Sequence, residues 1–254
     1  MPRFFVDKNN ITDSNIKITG NDVNHIKNVL RMKEGGELSV CDGEGRDYTC
    51  EISSIDRDEI ILDIRESSLS EAELSQKLYL FQGLPKSDKM EFIIQKAVEL
   101  GVFEIIPVQT MRAIVKIDAK KEDKKISRWQ QISEAAAKQS GRGIIPKIRT
   151  PMSLKDALSY AEELDASIIP YEKAKGMDET KRIINSLKEK GSVGIFIGPE
   201  GGFDESEIEL ALSKNTLPVT LGKRILRTET AGLTILSILM FQAEDQLPVL
   251  PLKI

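Results

Sequence analysis

The residues best suited to chemistry lie in two short stretches near the C-terminus. The first is Gly198-Pro199-Glu200-Gly201-Gly202-Phe203, directly after the apolar run Val193–Ile197. Its three glycines and proline permit backbone conformations that a β-carbon forbids, and they let a ligand touch the main chain. A tight strand-to-helix turn is the other reading. No Lys-Ser or Lys-Thr follows these glycines, as a phosphate loop requires, and no G-x-G-x-x-G occurs in the chain.

The second stretch is Leu221-Gly222-Lys223-Arg224-Ile225-Leu226-Arg227-Thr228-Glu229-Thr230-Ala231, three cations and one carboxylate at the start of a very apolar segment. A helix N-terminus offers free N–H groups and favours anions, so cations placed there oppose the macrodipole. Helix stability therefore does not account for Arg227, whereas an anionic ligand does. A surface salt bridge of Arg224 or Arg227 with Glu200 or Glu229 is the alternative. Glu229 would fall in the first turn of the helix, where the dipole favours a carboxylate.

Elements that could position these loops follow from hydrophobic period. Residues 1–72 read mostly as β-structure: Leu38–Asp42, the alternating Tyr48, Cys50 and Ile52, and Ile60–Ile64, with turns at Gly43–Gly45 and Asp56–Glu59. One helix precedes them, with Val23, Ile26 and Leu30 on one face and Gly35-Gly36 as its stop. The polar stretch Glu66–Glu73 is the candidate linker. After it, strands are expected at Leu78–Phe81, Val102–Val108, Ala166–Ile169, Val193–Ile197 and Leu217–Leu221. Helices are expected from Ser87 or Asp88 to Gly101, from Glu122 to Gln139, from Ser153 to Leu164, from Asp178 to Glu189, from Asp204 to Ser213, and from Thr228 or Thr230 to about Asp245. This alternation argues for a parallel α/β sheet in residues 73–254, with ligands bound beyond the C-terminal strand ends.

Composition narrows the chemistry. The chain has 254 residues, one His and two Cys. Two cysteines leave no disulfide scaffold or four-Cys zinc site and suit a reducing cytoplasm, and one His makes a triad or a His-rich metal site unlikely chemistry, so no metal is expected. No window holds the ~18 consecutive apolar residues of a membrane helix, and Met1–Asp7 lacks a signal-peptide core. Cys41 and Cys50 fit small buried thiols. The formal net charge is -4, but residues 73–155 carry +7 between flanking segments of -6 and -5. Such asymmetry points to an anionic partner, against the plainer reading of a solvated lysine-rich helix around Lys120, Lys121, Lys124 and Lys125.

The paired C-terminal stretches closely resemble those of the RsmE family, SPOUT-superfamily methyltransferases acting on N3 of a uridine in 16S ribosomal RNA. Lys86, Lys89 and Gln95–Gly101 resemble the family's entry to its catalytic domain. Trp129, Glu134-Ala135, Gln139-Ser140 and Arg142 resemble its central helix, and His25 with Val29-Leu30-Arg31 its N-terminal domain. Arg3-Phe4-Phe5 departs from the Arg-His-Phe often found there. The resemblance implies a PUA-like RNA-binding β-barrel in residues 1–72 and a SPOUT α/β domain with a trefoil knot in residues 73–254. It also implies a homodimer, S-adenosyl-L-methionine as cofactor, and 16S rRNA of the small ribosomal subunit as substrate. Carried onto this chain, Gly198, Glu200, Gly201, Gly202, Leu221, Gly222, Ile225 and Leu226 would hold the cofactor, with Ile169 and Pro170 as a third wall. Arg227 and Glu229 would be catalytic. Arg3, Arg31, Lys86, Lys89, Lys96, Arg112 and Arg142 would meet RNA, joined by Lys138, Lys147 and Arg149. A SPOUT enzyme with another target, such as a ribose 2′-hydroxyl or a tRNA base, and a non-catalytic RNA-binding protein are the competing readings.

Overall fold

A computed structural model describes residues 1–115, 119–171, 173–174 and 176–244, without the side chains of 119–121. Asp245, the expected end of the last helix, lies outside the described residues, as do the side chains of Lys120 and Lys121. The chain divides into two units, Met1–Glu73 with Ala137–Ile145, and Leu74–Ala136 with the chain from Pro146 onward.

The first unit is built on five strands: β1 (Arg3–Phe5), β2 (Asn15–Thr19), β3 (Glu37–Cys41), β4 (Arg46–Ile55) and β5 (Glu59–Leu69). Their order across the sheet is β1-β3-β4-β5-β2, with β1 parallel to β3 and every other pair antiparallel. Period-2 alternation sends Ile16, Ile18, Leu38, Val40, Cys50, Ile52, Ile60 and Leu62 to one face, where they pack with Phe4, Val6, Val23 and Ile26. Register shifts between β4 and β5 at Thr49/Cys50 and Ile52/Ser54 add the twist that curls the sheet around this core.

Two expectations change here. The first half of the expected linker is strand, because β5 runs on to Leu69, pairing Glu66, Ser67, Ser68 and Leu69 with Thr49, Tyr48, Asp47 and Arg46. Backbone pairing needs no apolar side chains, so polarity hid it. The expected first helix is a single short turn, α1 (Asn21–Asn24), followed by a wider π-type turn over His25–Val29. That widening takes Leu30 off the buried face, leaving it 38% exposed.

The second unit alternates strand and helix: β6 (Lys77–Gly83), α2 (Lys89–Glu99), β7 (Val102–Gln109), α3 (Ala119–Ser140), β8 (Lys147–Ile148), β9 (Met152–Ser153), α4 (Leu154–Ala161), β10 (Ala166–Pro170), α5 (Met177–Ser186), β11 (Ser192–Ile197), α6 (Glu205–Ser213), β12 (Leu217–Val219) and α7 (Thr228–Glu244). The C-terminal end of α3 belongs to the first unit. The strands are all parallel, in the order β12-β10-β11-β6-β7-β8, and β9 also pairs with β7. The central strands β6 and β11 are buried along most of their length, and Phe81 stacks on Phe196 at 4.4 Å between them. Asp204 and Glu207 close a reciprocal capping box at the start of α6, and Ser153 caps α4.

β12 stops at Val219, short of the expected Leu221. Pro218 donates no ladder hydrogen bond, and the Thr220 N–H is taken by Thr180 Oγ1 at 2.9 Å. Helix α7 then returns to pack against β11, β6 and α2.

Candidate active site

At the C-terminal ends of β10, β11 and β12 the loops enclose a cleft of about 610 Å³. Residues 198–203 after β11 form one wall, residues 220–228 after β12 another, and Pro170 and Tyr171 after β10 a third. The two glycine-bearing loops do not follow adjacent strands, since β10 lies between β11 and β12. Tyr171 N–H donates to Val219 O at 2.8 Å and so ties the third wall to the second.

The glycine loop is fixed from within. Gly202 N–H donates to Pro199 O at 2.9 Å, closing a turn. A β-carbon on Gly198 would stand 3.1 Å from the Gly202 backbone, so any other residue there would have to push the turn open by a few tenths of an ångström. Arg112 braces its outer side through Gly201 O at 3.3 Å and Asp204 at 3.1 Å.

The charged floor is organised by Lys89, at the start of α2. Its ammonium lies 3.0 Å from Glu200 and 3.4 Å from Glu229. The hydrogen bond to Glu200 raises the Lys89 pKa, and Glu229 adds to the effect. Burial would raise the Glu200 carboxyl, but hydrogen bonds from its own N–H, from Lys89 and from the Lys86 N–H outweigh that and hold it below the ordinary glutamate value. Glu229 Oε2 is buried and is the oxygen that faces Lys89 at 3.4 Å, an ion pair without a formed hydrogen bond. With both carboxylates turned to Lys89, exposed Arg227 has no carboxylate partner among the described residues. The salt-bridge reading of Arg227 with Glu200 or Glu229 is thereby replaced.

Of the residues expected to hold a cofactor, Pro170, Gly198, Glu200, Gly201, Gly202, Leu221, Gly222, Ile225 and Leu226 line the cleft. Ile169 does not: strand alternation buries its side chain fully in the core beneath. Ile225 is 91% exposed and belongs to no core. Arg227 lines the cleft, whereas Glu229 faces a neighbouring hollow between α2 and α7 that it shares with Lys89.

The cations expected on RNA divide sharply. Arg31, Lys86, Lys138 and Lys147 are exposed, and Arg112, also exposed, pairs with Asp204 at 3.1 Å. Arg3 pairs with Asp47 at 2.7 Å, Lys96 with Glu99 at 2.8 Å, and Arg149 with Glu104 at 2.7 Å. Lys89 belongs to the cleft floor. Arg142 must be corrected: it is 3% exposed and clasps Glu73, so it offers no surface to a phosphate. Its position in a basic stretch gave no hint of a partner so distant in sequence. Gln82, fully buried at the end of β6, has no sequence signal beyond an amide closing an apolar strand. Lys124 and Lys125 are exposed. Cys41 and Cys50 are buried free thiols. No group of three His, Cys, Asp or Glu that could hold a metal occurs among the described residues, and no described helix is long and apolar enough to cross a membrane.

An RNA methyltransferase domain model matches residues 72–240, and an RNA methyltransferase PUA domain model matches residues 18–65. Ribosomal RNA small subunit methyltransferase E of Bacillus subtilis is 38% identical over 250 residues, covering 96% of this chain and 98% of its own. The protein of that name from Mesomycoplasma hyopneumoniae is 37% identical, covering 93% and 98%. Among solved structures, a ribosomal RNA small subunit methyltransferase E from Neisseria gonorrhoeae, bound to S-adenosyl methionine, superposes with a TM-score of 0.79 at 30% identity, covering 95% of this chain and 97% of that one. A methyltransferase from Legionella pneumophila, in complex with the same cofactor, superposes at 0.78 with 32% identity, covering 94% and 96%. The N-terminal unit is thus PUA-like and the cleft sits in an RNA methyltransferase domain; by match and by identity over nearly its whole length, the chain belongs to the ribosomal RNA small subunit methyltransferase E family.

Proposed function

We propose that this protein transfers the methyl group of S-adenosylmethionine to N3 of a uridine in 16S rRNA of the small ribosomal subunit. One observation carries the reading: a cleft built from two glycine-bearing loops also holds an arginine without a carboxylate partner, beside a buried carboxylate. The residues suit the cofactor. A volume of about 610 Å³ falls within the range of cofactor sites, roughly 300–1,000 Å³. Pro170, Tyr171, Phe203, Ile225 and Leu226 supply apolar surface for an adenine, and the backbone of residues 198–202 and 221–226 supplies donors and acceptors for a ribose.

When bound, S-adenosylmethionine supplies an electrophilic methyl group on a sulfonium. This chain supplies the rest. The target uracil leaves its stack and enters the mouth of the cleft. The N3 proton leaves to water at the open mouth of the cleft, while Glu229, in the neighbouring hollow, acts through its ion pair with Lys89. Arg227 stabilises the negative charge left on the uracil ring. The N3–carbon bond then forms as the carbon–sulfur bond breaks. Lys89 keeps Glu200 and Glu229 in place, and the common alignment contributes much of the rate.

Exposed Arg31, Lys86, Lys138 and Lys147 are the RNA contacts of this reading, with Arg3, Lys96, Arg112 and Arg149 exchanging carboxylate for phosphate. A trefoil knot suits the path of the chain, which runs out to β12 beyond β10 and returns as α7 across β11 and β6. A homodimer suits the exposed Phe92, Ile238 and Phe241 on α2 and α7. A cytoplasmic location goes with the rRNA substrate. The test is incubation of small ribosomal subunits lacking the modification with the protein and labelled S-adenosylmethionine, followed by nucleoside mass spectrometry. The expected product is 3-methyluridine. A 2′-O-methylated nucleoside, or no S-adenosylhomocysteine binding by calorimetry, would overturn the reading.

A further inference from the structure

Gln82 is fully buried at the end of β6, and Thr228, 5% exposed, is the first residue of α7. Gln82 Nε2 donates to Gly83 O at 2.9 Å and to Thr228 Oγ1 at 2.9 Å. The Thr228 hydroxyl in turn donates to Gly198 O at 2.6 Å. One buried thread thus joins the end of β6, the first residue of the glycine loop, and the residue directly after Arg227.

The thread has a direction. A hydroxyl carries one proton, and Thr228 gives it to Gly198, so toward Gln82 it can only accept. The Gly83 carbonyl also only accepts. The Gln82 amide must therefore present its NH2 group to both, which fixes its orientation. The consequence is visible on the other side: Gln82 Oε1 is buried with no hydrogen-bond partner among the described residues. A buried acceptor left unpaired is a standing cost. A leucine or methionine would fill the position without that cost. The side chain is explained by what its NH2 group holds.

Two members of the thread line the cleft. Gly198 begins one wall and Thr228 ends the other. A β-carbon on Gly83 would lie 2.7 Å from Pro199, so β6 already abuts the glycine loop and the amide has a rigid base to pull against. We propose that Gln82 and Thr228 are positioning residues that set the spacing between the glycine loop and Arg227, and so align the bound methyl donor with the arginine that stabilises the uracil charge. The identity of the donor rests on the function proposed above.

The test uses the full-length protein. Thr228→Val keeps the shape and removes the hydroxyl, Thr228→Ser keeps the hydroxyl, and Gln82→Met removes the donors at similar length. Each is read by S-adenosylhomocysteine affinity in calorimetry, by kcat and KM on unmethylated small subunits, and by thermal unfolding. Thr228→Val should fold, lose about 10-fold in S-adenosylhomocysteine affinity, and fall about 100-fold in kcat with KM for the RNA unchanged. Thr228→Ser should restore each value to within about 3-fold, and the Gln82→Met/Thr228→Val double variant should be no worse than either single variant, since both cut one thread. Wild-type kcat in Thr228→Val, a Thr228→Ser no better than it, or effects that multiply in the double variant would overturn the assignment. So would a Thr228→Val protein that fails to fold, because the hydroxyl would then serve the whole unit. Wild-type protein that does not bind S-adenosylhomocysteine would instead remove the proposed cofactor, and this inference with it.

Discussion

At the scale of single residues, the decisive fact is which cation the carboxylates choose. Lys89 takes both Glu200 and Glu229, and Arg227 lines the cleft without a carboxylate partner among the described residues. Arg227→Ala should therefore lower kcat by about 100- to 1,000-fold, the effect of removing one donor to a developing anion. S-adenosylhomocysteine affinity should stay within a few-fold, and single-turnover kinetics beside calorimetry would separate the two. Ile225 permits a sharper contrast. It is 91% exposed, so Ile225→Ser should leave thermal unfolding unchanged. It should weaken S-adenosylhomocysteine binding by about 10-fold, because a side chain that packs on nothing in the free protein would pack on the adenine. The two glycine-bearing stretches stood out as candidates because each lines the cleft as a continuous run of sequence. The Lys89 pairings and the Arg142–Glu73 clasp join residues far apart in sequence, and nothing in a charge pattern says which acid a base will meet.

At the scale of elements, the strength of the periodic signal decided what could be read. β6, β11 and α2 bury continuous apolar surface, and Asp204 with Glu207 marks a helix start that the structure keeps. β1, β8 and β9 are two or three residues long, too short for any period, and β2 has only two buried residues. The sheet order is not a local property at all, so the insertion of β10 between β11 and β12 had no signature. Helix α7 offers a stability test at this scale. Gly232 lies mid-helix, and a β-carbon there would rest 3.7 Å from Gln82 Oε1 and from Ile197 Cγ1, in ordinary contact. Gly232→Ala should stabilise the protein by about 1 kcal/mol, the helix-propensity difference, measurable by urea unfolding. A loss of stability would mean that the Gln82 side chain needs the open space.

At the scale of the whole molecule, the strand–helix alternation after residue 73 announced the parallel sheet, while the first unit's full extent stayed hidden because its last piece comes from residues 137–145. That piece meets a buried thiol: Cys41 Sγ–H donates to Gly143 O at 2.9 Å. Burial pushes both thiols up to about 11, from an ordinary value near 9. The folded state therefore holds these protons more tightly than the unfolded chain. Their contribution to stability is complete below pH 9 and is lost as pH rises toward 11. Urea midpoints measured between pH 8 and pH 11 should fall across that window, and a Cys41→Ala/Cys50→Ala variant should lose less over the same range.

The return of residues 137–145 to the first unit also bears on synthesis. A chain emerging from its ribosome usually folds its leading domain first. Here Arg142 and Gly143, the partners of Glu73 and Cys41, emerge long after the strands they complete. At about 5–20 residues per second, the interval between residues 73 and 145 is roughly 4–14 s. For that time the nascent sheet waits with its Glu73 carboxylate unclasped. An enzyme of ribosomal RNA thus finishes its own leading domain only when the ribosome has translated more than half of its message.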